Sequence, residues 1–204
     1  MTEDDVEVIG AEAVEGAIKL ARKFGHPSRY EIITMEDSFH GRTLAAITAT
    51  GQPHHQEGFA PLPQGFVYAP FNDLEAVKSK ITDKTVAIML EPIQGEGGIN
   101  VASDEFITGL RKVCDEKNIL LIFDEIQTGM GRTGKMFCYQ HYKALPLEDR
   151  KAYPVDNVTP DVMVLAKTLG GGFPIGAMIA KRKIADTLQP GMHAATFGGS
   201  PLAC

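Results

Sequence analysis

Hydrophobic and polar residues alternate along this chain with two different periods. Over residues 11–24 the apolar side chains stand three and four positions apart, basic residues lie opposite them, and Gly25 follows directly, so the pattern predicts a helix. Short apolar and β-branched runs predict strands at residues 30–35, 66–69, 84–90, 119–123, 161–165 and 175–180. Further helices are predicted at residues 41–50, 72–81, 103–117 and 181–187, with Asn72 as the N-cap of the helix at 72–81.

This order of elements predicts an α/β fold. Nearly continuous apolar strands that alternate with helices are typical of a largely parallel sheet covered on both faces. The last two strands are close in sequence, so one of them is predicted to run antiparallel. Ligands of such sheets bind at the carboxyl ends of the strands, which predicts chemistry just after Met35, Leu90, Phe123 and Leu165. Residues 144–157 are predicted to form an inserted surface loop.

Composition excludes several classes of function. The 204 residues carry 20 Lys and Arg against 26 Asp and Glu, a net charge of −6, and the longest basic run is residues 181–183, so no nucleic-acid surface is predicted. No apolar stretch is long enough to cross a membrane. The acidic start is unlike a leader peptide, so a cytoplasmic protein is expected. Cys114, Cys138 and Cys204 are too scattered for a disulfide framework and are predicted to be reduced.

The ends of two strands carry residues that could take part in catalysis. Asp124 and Glu125 follow a buried strand, where acids are costly unless they are paired, although a helix cap and a loop acid would be a simpler interpretation. A metal site is disfavoured because no His or Cys cluster accompanies them, and the pair at 54–55 stands in a predicted loop with no evident carboxylate partner. Lys167 ends an apolar strand before three glycines, a setting for a nucleophilic amine, although most lysines are simply solvated.

Six strings along the chain together resemble one known family, the class-III aminotransferases, which are pyridoxal-phosphate enzymes of fold type I. The strings are GAEAV at residues 10–14, SFHGRT at 38–43, EPIQGE at 91–96, DEIQTGMGRTG at 124–134, LAK at 165–167 and TFGG at 196–199. The resemblance implies a large domain with a mostly parallel, seven-stranded type of sheet. Residues 1–204 would be that cofactor-binding domain without its first segment and without the family's small domain, and such a fragment alone is expected to aggregate and to be inactive.

The resemblance also implies roles for residues around the cofactor ring. Lys167 matches the lysine that binds pyridoxal phosphate covalently and then shuttles a proton, and Asp124 matches the carboxylate that pairs with the pyridine nitrogen. Phe39 would stack on the ring and Gln127 would bond near its phenolic oxygen. Glu125 and Ile126, in the same turn as Gln127, are predicted to contact the cofactor as well.

At the phosphate end, the resemblance assigns Gly10 and Ala11 to a loop whose backbone N–H groups meet the phosphate at a helix N-terminus. Ile9 departs from the family there, since a small hydroxyl residue usually precedes Gly10, which puts one phosphate hydrogen bond in doubt. Thr196 matches a threonine that reaches the phosphate of the neighbouring subunit, so a homodimer is implied.

The resemblance implies substrate contacts for Arg42, Glu96 and Ala195. Arg42 would form a bidentate contact with a carboxylate, and Ala195 stands where serine is common. The strings most resemble enzymes that move the distal amino group of N-acetylornithine to 2-oxoglutarate in arginine biosynthesis. Ornithine, succinylornithine and 4-aminobutyrate are alternative donors. A lysine-dependent aldolase or decarboxylase is an alternative class of enzyme, and it would have no need of Asp124.

Overall fold

The computed structural model of the chain describes residues 3–143, 158–196 and 198–204, and of residues 3–9 only the backbone. The fold is α/β, with a six-stranded sheet in the order β2-β1-β3-β6-β7-β8. The strands are β1 Glu31–Met35, β2 Phe66–Ala69, β3 Thr85–Leu90, β6 Leu120–Asp124, β7 Val162–Leu165 and β8 Ala177–Ala180, and a small hairpin pairs β4 Ile93–Gln94 with β5 Asn100–Val101. Neighbouring strands of the large sheet run parallel except β7 and β8.

Six helices accompany the strands in the described residues. They are α1 Glu3–Gly25, α2 Leu44–Ala49, α3 Pro53–Gln56, α4 Leu74–Ser79, α5 Asp104–Lys117 and α6 Arg182–Ala185, with single 3-10 turns at Cys138–His141 and Lys167–Gly170. None of the helices in this part of the chain combines the length and the apolar character that crossing a bilayer requires.

Two hydrophobic layers hold the sheet between the helices. Strand β6 shows how they arise, because successive side chains of a strand point to opposite faces. Leu120 and Ile122 pack on one face with α1, α2 and α6, whereas Leu121 and Phe123 pack on the other face with α4 and α5. Both faces of the parallel strands are therefore covered, as the nearly continuous apolar runs predicted.

Most predicted elements are confirmed within a few residues, including the antiparallel final pair of strands. The described residues contribute six strands of the seven that the resemblance implies. Asn72 does not cap α4, because Asp73 accepts the hydrogen bond from the Ala76 N–H at 2.8 Å. Asn72 instead accepts from the Ser103 N–H at 2.9 Å, at the start of α5. The predicted insertion at residues 144–157 lies outside the described residues.

Candidate active site

A cavity of about 630 Å³ opens at the carboxyl ends of the parallel strands. Each of four adjacent strands contributes side chains to its walls, and α1 closes one side. Among the lining residues are Phe39 and His40 after β1, Glu91 and Glu96 after β3, Asp124 at the end of β6, and Lys167 after β7. The cavity therefore lies at the strand ends where the sequence predicts a site.

Asp124 and His40 form a buried pair at the wall of this cavity. The two atoms His40 Nδ1 and Asp124 Oδ2 are 2.8 Å apart, and the residues are 1% and 3% exposed. The other carboxylate oxygen, Oδ1, accepts the Ile126 N–H at 3.1 Å. Burial alone would lower the pKa of His40, but the hydrogen bond and the charge of Asp124 outweigh it and raise that pKa.

Glu91 adds a third ionisable group beside this pair. Its carboxylate accepts the Phe39 N–H at 2.9 Å, which fixes the backbone that carries both Phe39 and His40. Burial, with a further contribution from the nearby charge of Asp124, raises the pKa of Glu91 to about 7, while His40 opposes the shift. Glu91 therefore holds its proton more strongly than an ordinary glutamate does.

Lys167 begins the 3-10 turn that follows β7. Its amine donates a hydrogen bond to Gln127 Oε1, so the two residues predicted to lie near the cofactor ring are in contact. The backbone of Lys167 has φ of 47°, a left-handed conformation that non-glycine residues seldom adopt, and such outliers are concentrated at functional sites. The residue is partly exposed and lines the cavity.

His55 joins Arg42 to Glu96 beside the cavity. Phe39 and Glu96 line the cavity, whereas Arg42, which is exposed, and His55 are not among its lining residues. The Arg42 guanidinium lies 5.3 Å from the centre of the Phe39 ring, and its Nη1 is 3.2 Å from His55 Nδ1. The other nitrogen of that imidazole, Nε2, is 3.3 Å from Glu96 Oε1. The expectation that residues 54–55 lack a carboxylate partner is therefore wrong, because α3 carries His55 across to Glu96 from a distant part of the sequence.

Glu96 is also held by Gln52, whose side-chain amide donates to Oε2. This hydrogen bond, assisted by His55, lowers the pKa of Glu96 against the smaller opposing effect of burial. The pKa values of the two glutamates are therefore shifted in opposite directions, that of Glu96 downward and that of Glu91 upward.

Gly10 and Ala11 line the cavity, but not at a helix N-terminus as predicted. Helix α1 begins at Glu3, and no proline or glycine interrupts residues 3–9, so both residues lie well inside the helix. Backbone N–H groups inside a helix are bonded to carbonyls one turn earlier, so these two are not the unpaired donors that the resemblance implied. The side chain of Ile9 lies outside the described residues.

Glu125 also departs from its predicted role. Its carboxylate accepts the backbone N–H groups of Cys138 at 2.6 Å and Tyr139 at 2.8 Å, on the far side from the cavity. Burial raises its pKa. Successive side chains at the end of β6 point in opposite directions, so only one of the two adjacent acids can face the cavity. Ile126 does line the cavity, as expected, and packs close to Gly10.

Ala195 and Thr196 are not among the lining residues of the cavity in this single chain. Thr196 is exposed and Ala195 is partly exposed, beyond the end of α6. The contact of Thr196 with a neighbouring subunit stays a prediction.

Sequence reasoning gave no role to three ionisable residues that line the cavity. His40 and Glu91 were recognised only as parts of motifs, and Arg132, an exposed cation, was not singled out. His55, beside the cavity, was assigned to a loop. His40 and Asp124 are 84 positions apart and no local pattern joins them. The one available signal was that each follows the end of a predicted strand, as Glu91 does too.

Comparison with known proteins places this arrangement in a family. The sequence model of the family described as aminotransferase class-III matches residues 6–204. The chain therefore belongs to the class-III aminotransferase family.

Individual relatives are similar over nearly the whole chain. An acetylornithine aminotransferase of Methanocaldococcus jannaschii is 55% identical over 200 residues, which is 96% of this chain and 46% of the relative. A succinylornithine transaminase/acetylornithine aminotransferase of Pseudomonas aeruginosa is 50% identical over 95% of this chain and 45% of its own length. The chain thus spans about half the length of the curated relatives it matches.

Solved structures agree with the fold. The ornithine aminotransferase of Toxoplasma gondii, which carries pyridoxal phosphate at partial occupancy in its active site, has a TM-score of 0.84 at 36% identity over 96% of this chain and 45% of that one. The N-acetylornithine aminotransferase of Stenotrophomonas maltophilia has a TM-score of 0.65 at 40% identity, over 87% of this chain and 41% of that one.

Proposed function

We propose that the protein containing this chain is a pyridoxal-phosphate-dependent aminotransferase. The observation that carries the proposal is the convergence of Lys167 and the His40-paired Asp124 on one cavity, in a chain that belongs to the class-III family. An amine that can bind a carbonyl and a buried carboxylate that can hold a positive ring nitrogen are the two groups that this chemistry requires.

The residues present fit the ring of the cofactor. Asp124 offers a buried carboxylate that is paired with His40, Lys167 offers the amine, and Phe39 offers an aromatic side chain at the wall. Gly41 lies where a Cβ would be 2.7 Å from the Ala11 Cβ, so a side chain at this position would crowd the wall. At the phosphate end the fit is less complete, since the N–H groups of Gly10 and Ala11 are inside α1.

When bound, pyridoxal phosphate supplies an electron-withdrawing ring that accepts the electrons released at the substrate Cα. Asp124 would stabilise a proton on the ring nitrogen, and His40 holds the Asp124 carboxylate in place from the protein side. Lys167 would hold the cofactor through its amine and would be the group that moves the substrate Cα proton, because an amine acts as a base when neutral and as an acid when charged. Gln127 restrains that amine through its Oε1.

We propose N-acetylornithine as the amino donor and 2-oxoglutarate as the acceptor, within arginine biosynthesis. Support comes from the relatives that carry acetylornithine in their names, at about half identity. Arg42 would bind a substrate carboxylate, and Glu96 would help to accommodate first the donor and then the dicarboxylate. The succinylornithine and ornithine enzymes among the relatives make these two donors the alternatives.

We further propose that the active enzyme is a cytoplasmic homodimer in which Thr196 serves the neighbouring subunit. A residue with that role must be exposed on its own chain and absent from its own cavity, and Thr196 meets both conditions. Residues outside this chain would then complete the substrate site.

Reductive trapping tests the cofactor assignment. The protein is mixed with pyridoxal phosphate, reduced with borohydride and digested, and the modified peptide is identified by mass spectrometry. We expect the adduct on Lys167. The variant Lys167→Ala should lose both the adduct and the visible absorbance band. The control Lys117→Ala, at an exposed position at the end of α5, should lose neither. An unchanged absorbance band in Lys167→Ala would show that the proposal is wrong. Rates with N-acetylornithine, ornithine, succinylornithine and 4-aminobutyrate then identify the donor.

A further inference from the structure

We infer that His55 is a positioning residue of the substrate site, where a neutral imidazole joins the Arg42 guanidinium to the Glu96 carboxylate. The inference rests on the proposed function, because it takes Arg42 and Glu96 as substrate contacts. Its geometric basis is the pair of contacts on opposite nitrogens of one ring, 3.2 Å to Arg42 Nη1 and 3.3 Å to Glu96 Oε1.

The chemistry of the partners determines the protonation state of the ring. Arginine can only donate hydrogen bonds, so His55 Nδ1 must accept and carries no proton. A carboxylate can only accept, so His55 Nε2 must carry the proton and donate it to Glu96. A doubly protonated ring would lose the contact with Arg42 and place two positive charges side by side. The arrangement therefore requires the neutral Nε2–H tautomer.

The surroundings of the ring restrict its movement. The side chain of His55 is 11% exposed, and its ring meets the Phe39 ring edge-on, with centres 5.6 Å apart and planes at 74°. The His54 ring lies against it, with centres 4.0 Å apart. The titratable and charged groups that face His55 are thus Arg42 from the segment before α2, Glu96 from the β4–β5 hairpin, and His54 on the same helix.

Two restrained charges at the rim lower the cost of binding a charged substrate. Long side chains lose conformational freedom when they clamp a carboxylate, and this loss opposes binding. His55 limits the conformations of Arg42 and Glu96 before the substrate arrives, so less freedom is lost on binding. The expected consequence of losing His55 is weaker substrate binding with little change in the chemical step.

The tautomer is tested without any catalytic assay. Long-range proton–nitrogen correlation spectra of the protein, labelled with ¹⁵N in histidine and assigned with His55→Gln, report which ring nitrogen carries the proton at neutral pH. We expect the Nε2–H form for His55. The Nδ1–H form, or a doubly protonated ring, would overturn the inference, whether or not the protein binds pyridoxal phosphate.

Kinetics test the positioning role with matched variants. His55→Phe keeps an aromatic ring against Phe39 but removes both hydrogen bonds, and His54→Phe makes the same change at the exposed neighbour. We expect His55→Phe to raise KM for 2-oxoglutarate about ten-fold with kcat nearly unchanged, and His54→Phe to leave both near the wild-type values. His55→Gln, which can accept from Arg42 and donate to Glu96, should recover most of the loss.

An unchanged KM in His55→Phe, or an equal rise in His54→Phe, would overturn the inference. So would a fall in kcat alone. Each variant is first reduced with borohydride to measure its content of trapped cofactor. If the wild type traps none on Lys167, the proposed function has failed, and the tautomer measurement still decides whether His55 joins the two charges.

Discussion

Two buried aspartates lie at opposite ends of neighbouring strands and have very different hydrogen-bond and ion-pair partners. Asp161 directly precedes β7 and accepts from the Leu121 N–H at 2.9 Å, Arg111 at 2.9 Å and Lys181 at 2.8 Å. Burial alone would raise the pKa of Asp161, but these partners, led by Arg111, lower it. Asp124 ends β6 at the other edge and has one histidine and one backbone N–H.

The comparison distinguishes an aspartate that stabilises the fold from one that is available to a ligand. At the amino-terminal edge two cations neutralise Asp161, so its charge is fully used in holding β6, β7 and α5 together. At the carboxyl edge Asp124 is paired with His40, and this pair lies at the wall of a cavity. A buried carboxylate that lines a cavity can also interact with a positively charged ligand, whereas Asp161 has its two cations within the fold.

The largest effect is expected from Asp124→Asn. Without the negative charge, a protonated pyridine nitrogen is no longer stabilised, so the transamination rate should fall about 10³-fold, as when a preorganised electrostatic partner is removed from an active site. Because the change also breaks a buried pair with His40, the rate is expressed per folded molecule. Single-turnover rates with an amino donor measure the effect. A rate close to that of the wild type would favour an aldolase or decarboxylase that uses Lys167 without this carboxylate.

The opposite result is expected from Asp161→Asn, which removes the common partner of Arg111 and Lys181. Removing the carboxylate that these two ion pairs share should lower the free energy of unfolding by about 3 kcal/mol. The transamination rate per folded molecule should stay unchanged. Urea unfolding measures the loss. Asp186→Asn is the control, because its pair with Arg182 is exposed and 4.0 Å long, and it should have almost no effect. A loss in Asp161→Asn no larger than the loss in Asp186→Asn would show that the ion pairs of Asp161 do not stabilise the fold.

A smaller, pH-dependent effect is expected from Glu91→Gln beside Asp124. The pKa of Glu91 is raised to about 7 in the folded protein, so between the ordinary glutamate pKa and pH 7 the folded state holds a proton that the unfolded chain releases. The stability that this proton provides is complete below the unfolded pKa and is lost as the pH rises through 7.

Glutamine cannot ionise, so Glu91→Gln should gain roughly 2 kcal/mol relative to the wild type as the pH rises from about 5 to about 8. Urea unfolding across that range measures the gain. Glu116→Gln, a change at an exposed position of α5, should show no such trend. Parallel pH profiles for the wild type and Glu91→Gln would mean that Glu91 is ionised throughout, and that Asp124 does not share its surroundings with a protonated acid.

The elements of the sheet could be predicted because their patterns are local. Residues 66–69 and 103–117 have the periodicity of the strand and the helix that form there, and Ser103 caps α5 by accepting the Phe106 N–H. The residues at which the helices begin were less predictable. Helix α1 extends eight residues before Ala11, where its apolar face was recognised, so the N–H groups of Gly10 and Ala11 came to lie inside it.

The position of the site and its main residues also followed from the chain alone. Parallel strands bring their carboxyl ends to one edge whatever lies between them in sequence, so Phe39, Asp124 and Lys167 could be expected to meet. The direction of each side chain and its partners were decided by packing in three dimensions. Glu125 faces away from the cavity, His40 binds Asp124, and His55 reaches Glu96, because these contacts depend on strand order and on how α3 lies across the rim. A linear pattern reports the face on which a residue lies, but the hydrogen-bond partner on that face comes from a segment tens of residues away.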